Sequence, residues 1–308
     1  MRYLMCKNTK VLNLDTYDIL AGGLLPGYVK KNHPSKETYH VWMKSRYSSS
    51  SNTLARKLQG IQFGQGNRCR INRLTHALSF TDCYWEKDET ETVMFQDISP
   101  YYTRFWDGLS EFNGEAAPTL YTDGCLPKKW LQSGELFKQG DLSLEIECIN
   151  LCKACGIPVE DGYITTNGIC VTNFTSDMIM FENAKASGEF DEYDFTDEDI
   201  VSKFGKSGVQ MLVIDAIIGN GDRHAGNFGY LRNADSGAYI GMAPLYDFDH
   251  ALDSTATDKP DILISDMLQA CKAYTDEISR ICNISLKCDN NIFHKRAQLI
   301  LNLLATNP

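Results

Sequence analysis

Three oxygen-bearing side chains, Asp222, Asn227 and Asp247, fall at a spacing that suits divalent-cation and phosphate chemistry. They lie in Asp215-Ala216-Ile217-Ile218-Gly219-Asn220-Gly221-Asp222-Arg223-His224-Ala225-Gly226-Asn227-Phe228-Gly229 and in the later Pro244-Leu245-Tyr246-Asp247-Phe248-Asp249. An acid on a loop, an amide five residues on and a second acid farther along are the oxygen ligands that magnesium bound to substrate phosphates takes. One carboxylate is left over to orient a hydroxyl. Phosphoryl transfer asks a protein chiefly for positioned charge, and this trio supplies it. Asp and Asn are also ordinary turn residues, and each alone would read that way. Their combination with Tyr246-Asp247-Phe248-Asp249 points to chemistry instead.

The elements that must position the trio follow from hydrophobic period and breakers. An apolar helix is predicted from about Val209 to Ile218, ended by Gly219 and Gly221 so that a polar loop is presented. Asp215 interrupts its apolar run, so a buried carboxylate there needs a partner, and support of the loop is the role expected of it. His224 is expected to brace the same loop. Phe228 to Leu231 reads as a strand, Asn233 to Gly237 as a turn and Ala238 to Ile240 as the returning strand, a hairpin that would bring Asp247 beside Asn227.

Upstream, Leu120 to Leu131 reads as a strand, a Gly-containing turn at Gly124 and a second strand, and Glu135 to Lys138 as a neighbouring strand. Backbone N–H groups and Lys128 at the tip could meet phosphates, with Lys138 pointing inward. For Lys128 and Lys129 an ordinary solvated strand edge remains the alternative. Ser143 to Pro158 reads as a capped helix with a Gly-x-Pro stop. Glu145 in its first turn either pairs with Lys138 or complements the helix dipole. Cys148, Cys152 and Cys155 have the spacing of an iron–sulfur motif, but a continuous helix stacks them on one face, and small buried hydrophobes are the simpler account.

Asp222-Arg223-His224-Ala225-Gly226-Asn227-Phe228-Gly229 followed by Pro244-Leu245-Tyr246-Asp247 resembles the catalytic and metal-binding segments of HipA-like serine/threonine kinases. The pattern is similar, more distantly, to the phosphatidylinositol 3- and 4-kinases; it is specific to the kinase-like group and less so within it. Gly124-x-x-x-Lys128 looks like the family's phosphate loop, and Lys138 falls where its strand lysine contacts ATP. The resemblance covers about residues 119 to 255. It implies an α+β, two-lobed kinase-like fold: an N-terminal subdomain (1–118), a sheet-rich nucleotide lobe (119–173) and a helical catalytic lobe (174–308). Thr172 to Thr175 would form the hinge, with Thr172 and Phe174 at the adenine. One departure is that Tyr121 and Thr122 stand where the family carries a serine that it can autophosphorylate.

Composition sets the remaining bounds. The chain has 308 residues, 43% of them hydrophobic, with no apolar run near the ~18 needed to cross a bilayer. Eleven cysteines without a signal-peptide core suggest a reducing cytoplasm. A net charge of −10 argues against generic nucleic-acid binding. The acidic run Glu182 to Asp199 reads as solvated surface with a helix cap inside it. Gly64-Gln65-Gly66 lacks the strand-then-helix context of a phosphate loop, and the aromatic stretches Leu74–Trp85 and Phe95–Trp106 read as packing.

The expected activity is an ATP- and magnesium-dependent kinase acting on a protein Ser or Thr. Asp222 would take the hydroxyl proton, Asn227 and Asp247 would hold magnesium, Lys138 and Lys128 would neutralise the triphosphate, and Glu145 would fix Lys138. A lipid kinase and a non-catalytic nucleotide-binding regulator or toxin–antitoxin scaffold are the rivals. An antitoxin partner is implied by the resemblance alone.

Overall fold

The computed structural model describes residues 1–44, 76–102, 128–131, 133–252 and 260–306. The expectations placed on Gly64–Gly66, Tyr121–Thr122 and Gly124 lie outside these residues. Three antiparallel sheets are described. In the first, β1 (Arg2–Cys6) runs between β2 (Thr9–Asn13) and β3 (Tyr84–Asp88). The second has the order β4 (Lys128–Trp130), β5 (Glu135–Gln139), β7 (Gly168–Thr172), β6 (Gly162–Thr165). The third places β9 (Gly229–Asn233) between β8 (Ile179–Asn183) and β10 (Tyr239–Met242), so the hairpin expected after Asn227 forms one or two residues later than its period suggested.

The first sheet packs its apolar side chains on α1 (Gly27–Lys31) and α2 (Lys36–Lys44), through Tyr39, Trp42 and Met43, with α3 (Phe95–Ile98) adding Phe95. Met180 of β8 and Ala234 of the β9–β10 turn belong to the same core, which is how the first sheet and its helices sit on the third sheet. Phe80 stacks on Trp130 at 4.7 Å, so part of the aromatic stretch serves packing, as its composition suggested.

A buried ion pair pins this junction. Arg232 Nη1 donates to both carboxylate oxygens of Glu182 at 3.2 and 3.3 Å, and its other nitrogens reach Leu25 O at 3.1 Å and Gly237 O at 3.0 Å. Glu182 also accepts from the Gly27 N–H and the Tyr239 hydroxyl, each at 2.8 Å. The acidic run therefore does not begin as solvated surface: alternation along β8 turns Glu182 inward, where it is 6% exposed. The cap inside that run is present, Thr196 and Asp199 forming a reciprocal capping box.

The remaining helices are α4 (Ser143–Ala154), α5 (Asp197–Phe204), α6 (Lys206–Ile218), α7 (Pro260–Ala270), α8 (Thr275–Ser285) and α9 (Asn291–Thr306). Helix α6 is apolar around its whole circumference and buried from Gly208 to Ile218, with α5, α7, α8 and α9 packed about it. Its end is set by Gly219, which at φ +65° forms the left-handed C-cap. Helices α7 and α8 are separated by a 3-10 turn at Lys272–Tyr274, and Asp276 and Glu277 in the first turn of α8 suit its dipole. Helix α4 starts as expected, although Ser143 is its first residue and not its cap; the Asp141 carboxylate accepts from the Ser143 hydroxyl at 3.0 Å. Cys148, Cys152 and Cys155 line the buried side of α4 and its C-terminus, where burial pushes their thiols up, that of Cys155 to about 11. Among the described residues no helix is long and apolar enough to cross a membrane.

Removing one member of a buried ion pair strands its partner. Glu182→Ala is expected to lower the unfolding free energy by about 3–5 kcal/mol, and Tyr239→Phe, which deletes one hydrogen bond, by about 1 kcal/mol. Urea denaturation followed by tryptophan fluorescence measures both.

Candidate active site

The loop after α6 is held from below by its own helix. Asp215, 3% exposed in the last turn of α6, accepts from Arg223 Nε and Nη2 at 2.8 Å each and from Asn220 Nδ2 at 3.0 Å. That bidentate contact is the partner its burial demanded. The third Arg223 nitrogen, Nη1, donates to Asn227 O at 2.7 Å and Tyr246 O at 3.3 Å. One guanidinium thus ties the helix end, the loop and the segment carrying Asp247 together. The Tyr246 hydroxyl adds a bond to Gly226 O at 2.5 Å, and its ring meets Phe174 and Phe181.

Asp222 and Asn227 are joined within the loop. Asn227 Nδ2 donates to Asp222 O at 3.3 Å. The Asp222 N–H donates to Asn220 Oδ1 at 3.2 Å, leaving the Asp222 carboxylate 40% exposed. His224 braces the turn by accepting the Gly226 N–H on Nδ1 at 3.0 Å. In neutral His224 the proton is then on Nε2, which faces Asp222 Oδ2 at 4.0 Å. His250 Nε2 stands 3.8 Å from the same oxygen, so the segment after Asp247 lies across the loop.

Facing this is a buried charge cluster. Lys128 and Lys138 are cross-strand partners on β4 and β5, a register that puts both amines on one face of the sheet. Lys138 is 4% exposed, and its Nζ donates to Glu145 Oε1 at 2.7 Å and to Asp247 Oδ1 at 3.0 Å. Of the two roles open to Glu145, the structure thus realises pairing with Lys138. Burial would discharge the Lys138 ammonium, but Asp247, Glu145 and Glu160 hold its pKa well above the ordinary value. Burial likewise disfavours the Asp247 carboxylate, yet Lys138, Lys128 and Arg223 keep it far below the usual range, hence ionised. Asp247 adopts φ +60°, a left-handed conformation uncommon for a residue with a side chain.

Glu160 is part of this cluster and was not identified from sequence. A parallel bridge pairs Val159 with Leu245: the Leu245 N–H donates to Pro158 O at 2.9 Å and the Glu160 N–H to Leu245 O at 3.0 Å. The Glu160 side chain, 6% exposed, accepts the Asp247 N–H on Oε1 at 3.3 Å. Burial pushes its pKa up to about 8, with Glu145 and Asp247 adding and Lys138 opposing. The available signal was an acid, the first of the pair Glu160-Asp161, directly after the apolar Ile157-Pro158-Val159.

Of the residues singled out from sequence, Lys138, Glu145 and Asp247 touch one another, Lys128 lies opposite Lys138, and Asp222 and Asn227 share the loop that Arg223 binds to Tyr246. Phe174 packs on Tyr246. Thr172 ends β7 and exchanges hydrogen bonds with Asp161 instead, its N–H donating to Asp161 O at 2.8 Å and its Oγ1 accepting from Asp161 N at 3.2 Å. The donors suit a hard cation with phosphates: an ionised carboxylate on Asp247, an amide oxygen on Asn227, and the Lys128 and Lys138 amines. Glu145 Oε2 is buried without a hydrogen-bond partner among the described residues, so the cluster is not fully satisfied by its own side chains.

Two outcomes follow. Asp215→Ala leaves Arg223 buried and unpaired, and is expected to cost about 3–5 kcal/mol with faster amide exchange across 219–228, measured by mass spectrometry. Glu160 binds its proton more tightly folded than unfolded, so its stabilising contribution is complete below pH 4.5 and is lost as pH rises to about 8. Without added divalent cation, urea midpoints of the native chain should therefore fall relative to Glu160→Gln between pH 5 and 8, and parallel profiles would contradict this.

No protein-family model matches the chain, and no curated protein matches its sequence. Among solved structures it is similar to HipA of the Shewanella oneidensis MR-1 toxin–antitoxin system, determined with HipB and operator DNA. The identity is 11% over 99% of this chain and 97% of that one, with a TM-score of 0.51. The Helicobacter pylori proinflammatory kinase CtkA matches at 17% identity over 58% of this chain and 90% of that one, with a TM-score of 0.38. The likeness to HipA is one of fold: the chain is a mixed α/β protein with small sheets and several helices, similar in structure to HipA.

Proposed function

We propose that this protein is a two-lobed, ATP- and magnesium-dependent kinase that transfers the γ-phosphate to a Ser or Thr hydroxyl of a protein. The observation that carries this reading is the sharing of one buried ammonium, Lys138, between a helix glutamate at 2.7 Å and an aspartate of the Tyr246-Asp247-Phe248 segment at 3.0 Å. Lys138 would meet the phosphates while Glu145 holds it in place, and Lys128 would add charge from the neighbouring strand. Asn227 and Asp247 would hold magnesium, which when bound neutralises charge on the phosphates. Asp222, partly exposed on a loop fixed by Arg223 and His224, orients the acceptor hydroxyl and takes its proton.

The fold likeness to HipA, a toxin solved with HipB and DNA, supports the kinase class and suggests a partner that restrains this chain. A protein acceptor is favoured over a lipid by Pro244-Leu245-Tyr246-Asp247, the HipA-like form of the second motif.

The test is phosphoproteomics of cells expressing the native chain, Asp222→Ala or Asp247→Ala, together with transfer from γ-labelled ATP to cell extract and to phosphoinositide vesicles. Protein Ser/Thr phosphorylation that falls by about 10²–10⁴-fold in Asp222→Ala, and likewise disappears in Asp247→Ala, is expected. Label confined to the vesicles would shift the assignment to a lipid kinase, and marks identical in all three chains would refute the site.

A further inference from the structure

We propose that Glu160 is a positioning residue that sets the backbone of Asp247 and through it the direction of the Asp247 carboxylate. Its bearing on catalysis rests on the phosphotransfer reading; its structural part does not. A left-handed residue with a side chain is uncommon, and it persists where its surroundings hold it. Asp247 is such a residue, at φ +60°.

The constraint comes from both ends of Glu160. Its N–H donates to Leu245 O at 3.0 Å, continuing the short parallel pairing of Val159 with Leu245. Two residues on, the Asp247 turn leaves that ladder, and the Glu160 side chain supplies the acceptor that a backbone carbonyl would otherwise provide, at 3.3 Å from the Asp247 nitrogen. The 245–247 segment is thereby clamped on one side by a single residue, while Arg223 holds Tyr246 O from the other at 3.3 Å. With the backbone fixed, Asp247 Oδ1 meets Lys138 at 3.0 Å.

Glu160 is unsuited to act on substrate itself. It is 6% exposed, and among the described residues its hydrogen bonds run to Leu245 and Asp247, whereas the Lys138 ammonium goes to Glu145 and Asp247. What the position needs is an acceptor oxygen of the right length. Gln keeps that oxygen, whereas Ala and Met do not.

The experiment compares the native chain with Glu160→Gln and Glu160→Ala. It reads amide exchange at Asp247, resolved by fragmentation mass spectrometry or NMR, and calorimetric binding of β,γ-imido-ATP with and without magnesium. Loss of one hydrogen bond should speed Asp247 exchange about tenfold in Glu160→Ala and cut the magnesium-dependent gain in nucleotide affinity by about the same factor. Glu160→Gln should stay within about threefold of native in both. Should the Ala variant fail to fold, Glu160→Met fills a similar volume without an acceptor and takes its place. Unchanged Asp247 exchange in the variant without an acceptor overturns the inference, as does a Gln variant as impaired as it. A native chain without magnesium-dependent nucleotide binding refutes the phosphotransfer reading, and the exchange comparison then decides the role of Glu160 alone.

Discussion

The Lys138 ammonium, shared between Glu145 and Asp247, is the interaction on which the rest of the site depends. A buried lysine is strongly disfavoured unless carboxylates compensate it, and carboxylates taken from water need a cation as much as it needs them. Strand β5 supplies the lysine, helix α4 one acid and the segment after β10 the other, so the pairing also fixes how three separated pieces of chain meet. Glu160 adds a third acid to the same space. Raised to about 8 by burial, it enters that space largely uncharged at neutral pH and so adds little further negative charge beside Asp247.

Two arginines make this arrangement rigid from opposite directions. Arg223 takes the end of the buried helix α6 as its base, through Asp215, and uses its remaining nitrogen to hold the Asn227 and Tyr246 carbonyls. Arg232 does the corresponding work at the third sheet, where Glu182, Tyr84 and the carbonyl of Leu25 converge on it and lock the N-terminal elements to β8 and β9. In both, a planar donor reaches several acceptors at once, which a lysine ammonium on a flexible stem would not reproduce. Asp222 thereby sits on a loop whose shape is set by buried polar contacts.

Much of this was legible in the residues because it obeys local rules. Helix α6 announced itself through an apolar run interrupted by Asp215 and a glycine stop, the β9–β10 hairpin through alternation and Asn233 to Gly237, and the need of Asp215 for a partner through its neighbours' polarity. Lys138 and Glu145 could be suggested as a pair, but helix-dipole complementation described Glu145 equally well, since sequence does not say which strand passes over a helix. Glu160 and Glu182 were opaque for a related reason. Each is buried by a tertiary approach, of Leu245 in one case and Arg232 in the other, from residues far along the chain.

The central claim is that Asp247 and Asn227, held by the Lys138 cluster and the Arg223 clamp, form one cation site that works with a nucleotide. Electron paramagnetic resonance of Mn2+ added with ATP tests it directly, because bound and free Mn2+ give separable signals. The account predicts that the native chain immobilises about one Mn2+ per molecule only when ATP is present, and that Asp247→Asn and Asn227→Ala each release most of it. Immobilisation of Mn2+ that is independent of ATP, or unchanged in both variants, would contradict the account.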